Sequence, residues 1–332
     1  MTQRVAAIDC GTNSIRLLIA DLNAAPDHPE PVRGAGGLAR PSSPLSDVTR
    51  EMRIVRLGEG VDRTGRLSAA ALDRTMTALR EYAGLIAEAK PEAVRMVATS
   101  ATRDAANSAD FTERVLGLLG VPPEVITGDE EAWLSFTGAT RELAVAPVTA
   151  DGSFPPPFLV TDIGGGSTEF VLGGPDGVAG ARSVDIGCVR LTERHLHGDP
   201  PTAAQIAATL ADIDAALDRA AAAVPANRAR TLVGLAGSVT TVAAIALGLP
   251  EYDSARIHHS RITAARVHQI ANDLLAMTRA ERAAIPVMHP GRVDVIGAGA
   301  LILDRIMTSF GFADVLVSEH DILDGIAWSL AR

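Results

Sequence analysis

Val5-Ala6-Ala7-Ile8-Asp9-Cys10-Gly11-Thr12-Asn13-Ser14-Ile15-Arg16-Leu17 is the stretch that decides the fold. An apolar run ends at an aspartate, a turn rich in glycine and hydroxyls follows, and a second apolar run, Ile15 to Ala20, leads away. Apolar run, Gly-containing turn and apolar run read as a β-hairpin. After a Pro-rich connector, Phe154-Pro155-Pro156-Pro157, the pattern returns. Phe158 to Thr161 leads into Asp162-Ile163-Gly164-Gly165-Gly166-Ser167-Thr168, and Glu169-Phe170-Val171-Leu172 leads out. Asp9 and Asp162 stand close to half a chain apart, and equivalent elements at that spacing indicate a duplicated domain.

Outward from the hairpins, the chain reads as alternating strands and helices. Residues 24–47 hold five prolines and three glycines and read as loop. Strand character returns at Met52 to Leu57, and Ser68 to Lys90 reads as an amphipathic helix with a Ser N-cap. Val94 to Ala98 reads as strand, Asp110 to Leu119 as helix, Glu124 to Thr127 as strand, and Gly128 opens a helix to about Glu142. In the second half, strands are expected at Ala181 to Ile186 and Val315 to Val317. Helices are expected at Arg190 to Leu196, Thr202 to Ala223, Arg292 to Phe310 and Leu323 to Leu330, with others starting at Ala264 and Arg279. Thr231 to Pro250 carries no charge and reaches the length of a membrane span, but it breaks at Gly237-Ser238 into a short strand and a helix.

Composition narrows the function classes. The 332 residues are 47% hydrophobic and 21% charged, a packed rather than disordered chain with room for two domains. Two cysteines make no disulfide framework, and the first apolar run is too short for a signal peptide, so a reducing cytoplasmic setting is expected. The net charge of −10 argues against nucleic-acid or anionic-membrane binding. Of the 30 basic residues only Lys90 is lysine, a bias that a GC-rich genome explains and that also suits phosphate recognition by guanidinium forks.

Each Asp/Gly/Ser/Thr turn sets backbone N–H groups and hydroxyls at a strand end, where they can encircle phosphate oxygens. Two such loops facing each other can clamp one phosphate chain. Asp9, Asp162 and Glu169 are hard-oxygen donors suited to Mg²⁺. The cluster Gly128-Asp129-Glu130-Glu131-Ala132 is either an ordinary acidic helix start or the source of a carboxylate that orients attacking water. Arg103, in Ser100-Ala101-Thr102-Arg103-Asp104 just after a strand, could reach a phosphate or make a surface ion pair. The histidines, including His258-His259, have no metalloprotease spacing, and Cys10 reads as a small buried residue.

Taken together, these blocks resemble the signatures of the Ppx/GppA phosphatase family, which comprises exopolyphosphatases and guanosine pentaphosphate phosphohydrolases. Val184 to Thr192, Gly237 to Thr241 and Arg292 to Ile296 also look like family blocks. The resemblance implies an α/β fold of the duplicated actin-like type shared with sugar kinases and heat-shock proteins, two lobes at residues 1–134 and 135–332 with a cleft between them. It implies hydrolysis of a terminal phosphoanhydride with Mg²⁺, or Mn²⁺, as cofactor. Carried over residue by residue, Glu131 is the base and Asp162 and Glu169 hold the metal, with Asp9 near them. Arg103 contacts phosphate, and Asn13, Ser14, Gly165, Gly166, Ser167 and Thr168 form the cradles, beside Arg16. A homodimer acting in the stringent response is also implied.

Three departures stand out. The chain stops without the C-terminal HD-like helical region of long family members, the 24–47 loop is longer than usual, and Ser318-Glu319-His320-Asp321 replaces a more usual Arg-Gly-containing stretch. The expected activity is release of orthophosphate from the end of short polyphosphate chains, with little processivity. Hydrolysis of guanosine pentaphosphate is the alternative, a silent polyphosphate or nucleotide sensor is the rival from another class, and an ATPase or sugar kinase of the same fold is less favoured.

Overall fold

The computed structural model describes residues 2–23, 45–141, 143 and 154–331. Lobe I carries β1 (Thr2–Cys10), β2 (Ser14–Asn23), β3 (Leu45–Ile54), β4 (Ala93–Ala98) and β5 (Glu124–Val125). Its helices are α1 (Val61–Thr64), α2 (Ala69–Ala89), α3 (Ser100–Arg103) and α4 (Ser108–Leu119), and α5 (Gly128–Thr140) leads to the second lobe. Lobe II holds β6 (Phe158–Ile163), β7 (Thr168–Gly174), β8 (Gly177–Val184), β9 (Thr231–Leu235), β10 (Arg261–Thr263) and β11 (Asp314–Val317). Its helices are α6 (Cys188–His195), α7 (Ala203–Ala223), α8 (Ala236–Ala246), α9 (Ser254–Ile257), α10 (Ala264–Ala276), α11 (Arg279–Ala283), α12 (Ile296–Phe310) and α13 (Ile322–Trp328).

The two sheets are copies of one plan. Sheet one runs β3-β2-β1-β4-β5, and sheet two runs β8-β7-β6-β9-β11 with β10 added at its edge. In each, an antiparallel three-strand meander continues into two parallel strands. This is the expected duplicated, actin-like two-lobe architecture. Alternation along β1 explains why its run is apolar throughout: Ala6, Ile8 and Cys10 pack with α2 and α4, while Val5 and Ala7 pack with α13.

Helices α5 and α13 form the layer between the sheets. Leu134 of α5 joins the core of lobe I with Ile322, Leu323 and Ile326, whereas Ala132, Phe136 and Ala139 join the core of lobe II. The last helix of the chain thus covers the sheet that opens it. The helices approach backbone to backbone: a Cβ on Gly138 would lie 1.8 Å from the Asp321 carbonyl oxygen, and one on Gly325 would lie 2.0 Å from that of Leu134.

Most strands and helices fall where the hydrophobic pattern puts them, including the Ser68 N-cap, whose side chain accepts from Ala71 N–H. Three differ. Residues 24–44 of the expected loop lie outside the described residues, but 45–47 belong to β3, which begins seven residues before the expected strand and pairs with β2. Its outward face is polar, so it lacks the apolar run that marks a buried strand. The break in Thr231–Pro250 falls at Leu235/Ala236, not Gly237-Ser238, and Ala236 takes a left-handed φ of 67° to start α8. Residues 292–295 precede α12 rather than belonging to it. Among the described residues, no helix is long and apolar enough to cross a membrane.

Gly138→Ala forces two backbones apart, an overpacking that costs about 1–3 kcal/mol or more. The melting temperature should fall by several degrees; an unchanged melt would mean that the α5–α13 crossing can relax freely.

Candidate active site

Pairing of the strands fixes the polar groups of the cleft. In the first hairpin Asp9 stands opposite Arg16, and in the second Asp162 stands opposite Glu169. Directly opposed residues of an antiparallel pair project on one face with Cβ atoms about 5 Å apart. The duplicated hairpins therefore present an acid–base pair on one side and an acid–acid pair on the other.

The first pair is neutralised internally. Arg16 donates from Nε and Nη2 to Asp9 Oδ2 at 2.9 and 2.7 Å, and from Nη1 to Asp321. Burial works against the Arg16 charge, but Asp321 and Asp9 outweigh it and strengthen the guanidinium's hold on its proton. Burial raises the Asp9 carboxyl above its ordinary range, opposed by Arg16. Burial also disfavours the Asp321 charge, yet Arg16, the Leu323 N–H and Arg50 hold that carboxyl below its usual range.

Among the described residues, no cation is paired with the second pair. Asp162 accepts from Ser135 Oγ at 2.7 Å and Glu169 from Ser183 Oγ at 2.7 Å. Burial pushes Asp162 up to about 7, with the Asp321 charge adding and Ser135 and Arg16 offsetting. Glu169, only 2% exposed, lies well above its ordinary range because it is buried and because Glu131 and Asp162 are near. Glu131, in the first turn of α5, is pushed by burial up to about 8 against the opposing charge of Arg103, with Asp162 and Asp9 adding. Arg103 Nη1 donates to Glu131 Oε2 at 3.1 Å and to the Ile126 carbonyl at 3.0 Å. These carboxylates crowd a low-dielectric space with too little positive charge, a field that favours a bound cation.

One cavity between the lobes is lined by Asp9, Asn13, Ser14, Arg16, Glu131, Asp162, Gly165 and Ser167. Four residues singled out in the sequence sit behind that surface. Glu169 is buried beside it, Arg103 holds Glu131, Thr168 Oγ1 donates to the Ile186 carbonyl at 2.6 Å, and Gly166 packs on Ser100 and Thr12. Glycine is required at 165 and 166 because a Cβ would lie 2.9 Å from Thr12 Cβ or 2.6 Å from Ser100 Oγ. Among the described residues, the buried Asn13 Oδ1 meets no hydrogen-bond partner. The carboxylates that could hold a divalent ion are Asp162 and Glu169. Among the described residues, no three Asp, Glu, His or Cys side chains converge as a preformed metal centre.

The sequence reading assigned no role to Arg292, Asp321, Ser135 or Ser183. Arg292 lies over Gly237 at the start of α8, where a Cβ would come 2.2 Å from its Nη2, and lines the cavity with Gly237 and Ser238. Asp321 caps α13 through Leu323 N–H while holding Arg16. Its Asp-x-x-Asp spacing with Asp324 was a legible helix-start signal; the others had none.

The model of the Ppx/GppA phosphatase family matches residues 37–332. The chain belongs to this family. It is 52% identical over 337 residues to Exopolyphosphatase 2 of Mycobacterium tuberculosis, covering 99% of this chain and 98% of that one. A crystal structure of an exopolyphosphatase-like protein superposes with a TM-score of 0.87 at 42% identity over 98% of both chains. The Ppx/GppA family member of Aquifex aeolicus gives 0.73 at 30% identity, over 99% of this chain and 97% of that one.

The raised carboxyls make a statement about stability. Folded Glu131 and Asp162 keep protons up to about 8 and about 7, whereas unfolded carboxyls release them near about 4. The folded state therefore binds more protons across this window, and stability must fall as pH rises through it. In chelator, the melting temperature should decline between about pH 5 and pH 8 and the decline should shrink in Glu131→Gln. A flat or rising profile would contradict the crowding.

Proposed function

We propose that this protein is an exopolyphosphatase that removes the terminal phosphate from short inorganic polyphosphate. The observation that carries the reading is the buried Glu131 carboxylate, gripped by Arg103 and facing a cavity whose walls are the two glycine and hydroxyl loops. Loops of this kind bind phosphate oxygens through backbone N–H groups, and Asn13, Ser14 and Ser167 add side-chain donors. Arg16 uses three of its five donors on Asp9 and Asp321, which leaves two N–H bonds for a phosphate. A water between Glu131 and the terminal phosphorus attacks in line. Its proton passes to Glu131 as the bridging P–O bond breaks, giving orthophosphate and a chain one unit shorter.

The donor set suits Mg²⁺, which takes one or two protein carboxylates and completes its shell with water and phosphate oxygens. Asp162 and Glu169 would hold it, each oriented by a serine hydroxyl. Bound there, the ion would neutralise charge on the phosphates. With a net charge of −10, the rest of the surface repels a long polyanion, which favours short chains.

A second reading, hydrolysis of guanosine pentaphosphate, is favoured by one feature. A neighbouring cavity shares Arg16, Ala236, Gly237 and Arg292 with the first and is lined further by Met52, Tyr252, Val287, Met288, Glu251 and Glu319. Apolar and carboxylate groups have no use for bare polyphosphate, whereas a nucleoside offers both a ring face and N–H donors.

Phosphate release from triphosphate, longer polyphosphate, guanosine pentaphosphate and ATP, with and without Mg²⁺, separates the readings. Triphosphate and short chains should turn over fastest and only with the ion. Dominant ATP turnover would sink the proposal, and no turnover would indicate a sensor. Glu131→Gln should lower kcat by about 10²- to 10⁴-fold with KM little changed. The wild-type rate should climb with pH as the base loses its proton, and with the ion bound the rise should fall below the value of about 8 that the metal-free site gives, because the ion offsets the neighbouring carboxylates.

A further inference from the structure

Helix α6 begins directly behind the second phosphate loop, its first amides spent on the carbonyls of Gly164 and Gly165. Three residues of one face then reach across to lobe I. Glu193 accepts from Gly60 N–H at 3.1 Å, and Arg194 binds Asp62 at 2.9 Å. Arg190 does more. Its Nε donates to the Gly166 carbonyl at 2.7 Å, Nη1 to Asp62 at 2.5 Å and Nη2 to Asp104 at 2.5 Å, so all three edges of the guanidinium are engaged. Its side chain is only 12% exposed.

The three acceptors belong to parts that must agree. Gly166 lies between Gly165 and Ser167 of the cavity wall, and Asp104 follows Arg103, whose guanidinium holds Glu131. The interface between them is close: Thr12 Oγ1 and Ser100 Oγ are 2.9 Å apart, and a Cβ on Gly166 would strike both. Only the small apolar side chains Val61, Ala101 and Val189 line this edge beside the polar groups, so its register depends on contacts with defined directions.

We propose that Arg190 is a positioning residue that sets the second phosphate loop in register with the helix carrying Arg103, so that the cradle is aligned before substrate arrives. Its consequence for catalysis rests on the phosphohydrolase reading above; its consequence for the loop does not. The requirement is for a planar fork with three donor directions, which a lysine ammonium on a flexible stem does not reproduce.

The test compares wild type with Arg190→Ala, Arg190→Lys and Asp104→Asn, the last removing a single negative charge should the first two fold poorly. Hydrogen exchange of the segment 164–168 is followed without substrate, and kcat and KM are measured on triphosphate. Faster exchange of that segment is expected in all three, with a KM rise of about tenfold in the Arg190 variants, a smaller rise in Asp104→Asn, and kcat changed far less. Lysine should not restore either quantity. Unchanged loop exchange, an unchanged KM or full rescue by lysine would overturn the proposal. A wild type inert on every polyphosphate would instead remove the phosphohydrolase reading and leave the exchange result to judge Arg190 alone.

Discussion

Two carboxylates opposed across a buried strand pair, with no cation among the described residues paired to them, are the constraint on which the site depends. Asp162 and Glu169 occupy the positions that Asp9 and Arg16 occupy in the other lobe. One hairpin thus closes its own charge balance and the other leaves it open. Like charges in a dry setting raise each other's proton affinity, and Glu131 and Asp321 deepen the deficit. Such a cluster is costly to the fold and is relieved by protons or by a metal ion, and on the proposed reading the open hairpin is the reactive half of a symmetric frame.

The frame holds that cluster in place by backbone contact. Because Gly138 and Gly325 bring α5 and α13 together without side chains between them, Glu131 on one helix and Asp321 at the start of the other take fixed positions relative to both sheets. Asp321 then fixes Arg16, and Arg16 fixes Asp9. A segment from the far end of the chain therefore fixes the guanidinium of the first hairpin. On the opposite edge, Arg190 and its acids fasten the second loop.

Much of this was legible in the sequence, for a physical reason: the duplicated Asp-led turns combine local propensity with a repeat, and both hairpins form where the pattern puts them. Central strands such as β1 and β6 announce themselves because both faces are buried, whereas the half-polar edge strand β3 does not. The buried polar partners were hidden for another reason. Ser135, Ser183, Asp321 and Arg292 matter through contacts between distant segments, and nothing local distinguishes them from other serines, caps and arginines. Thr168 illustrates the converse: its place in a glycine and hydroxyl loop suggested a phosphate donor, but its hydroxyl is committed to the Ile186 carbonyl.

If the open hairpin is a cation site whose carboxyls otherwise carry protons, the ion and the protons must compete. Calorimetric titration of the metal-free protein with Mg²⁺ near pH 7, repeated in buffers of different ionisation enthalpy, measures that competition directly. The account predicts release of about one proton per ion bound, and loss of binding in Asp162→Asn and Glu169→Gln. Binding without proton release, or binding that survives both substitutions, would contradict it.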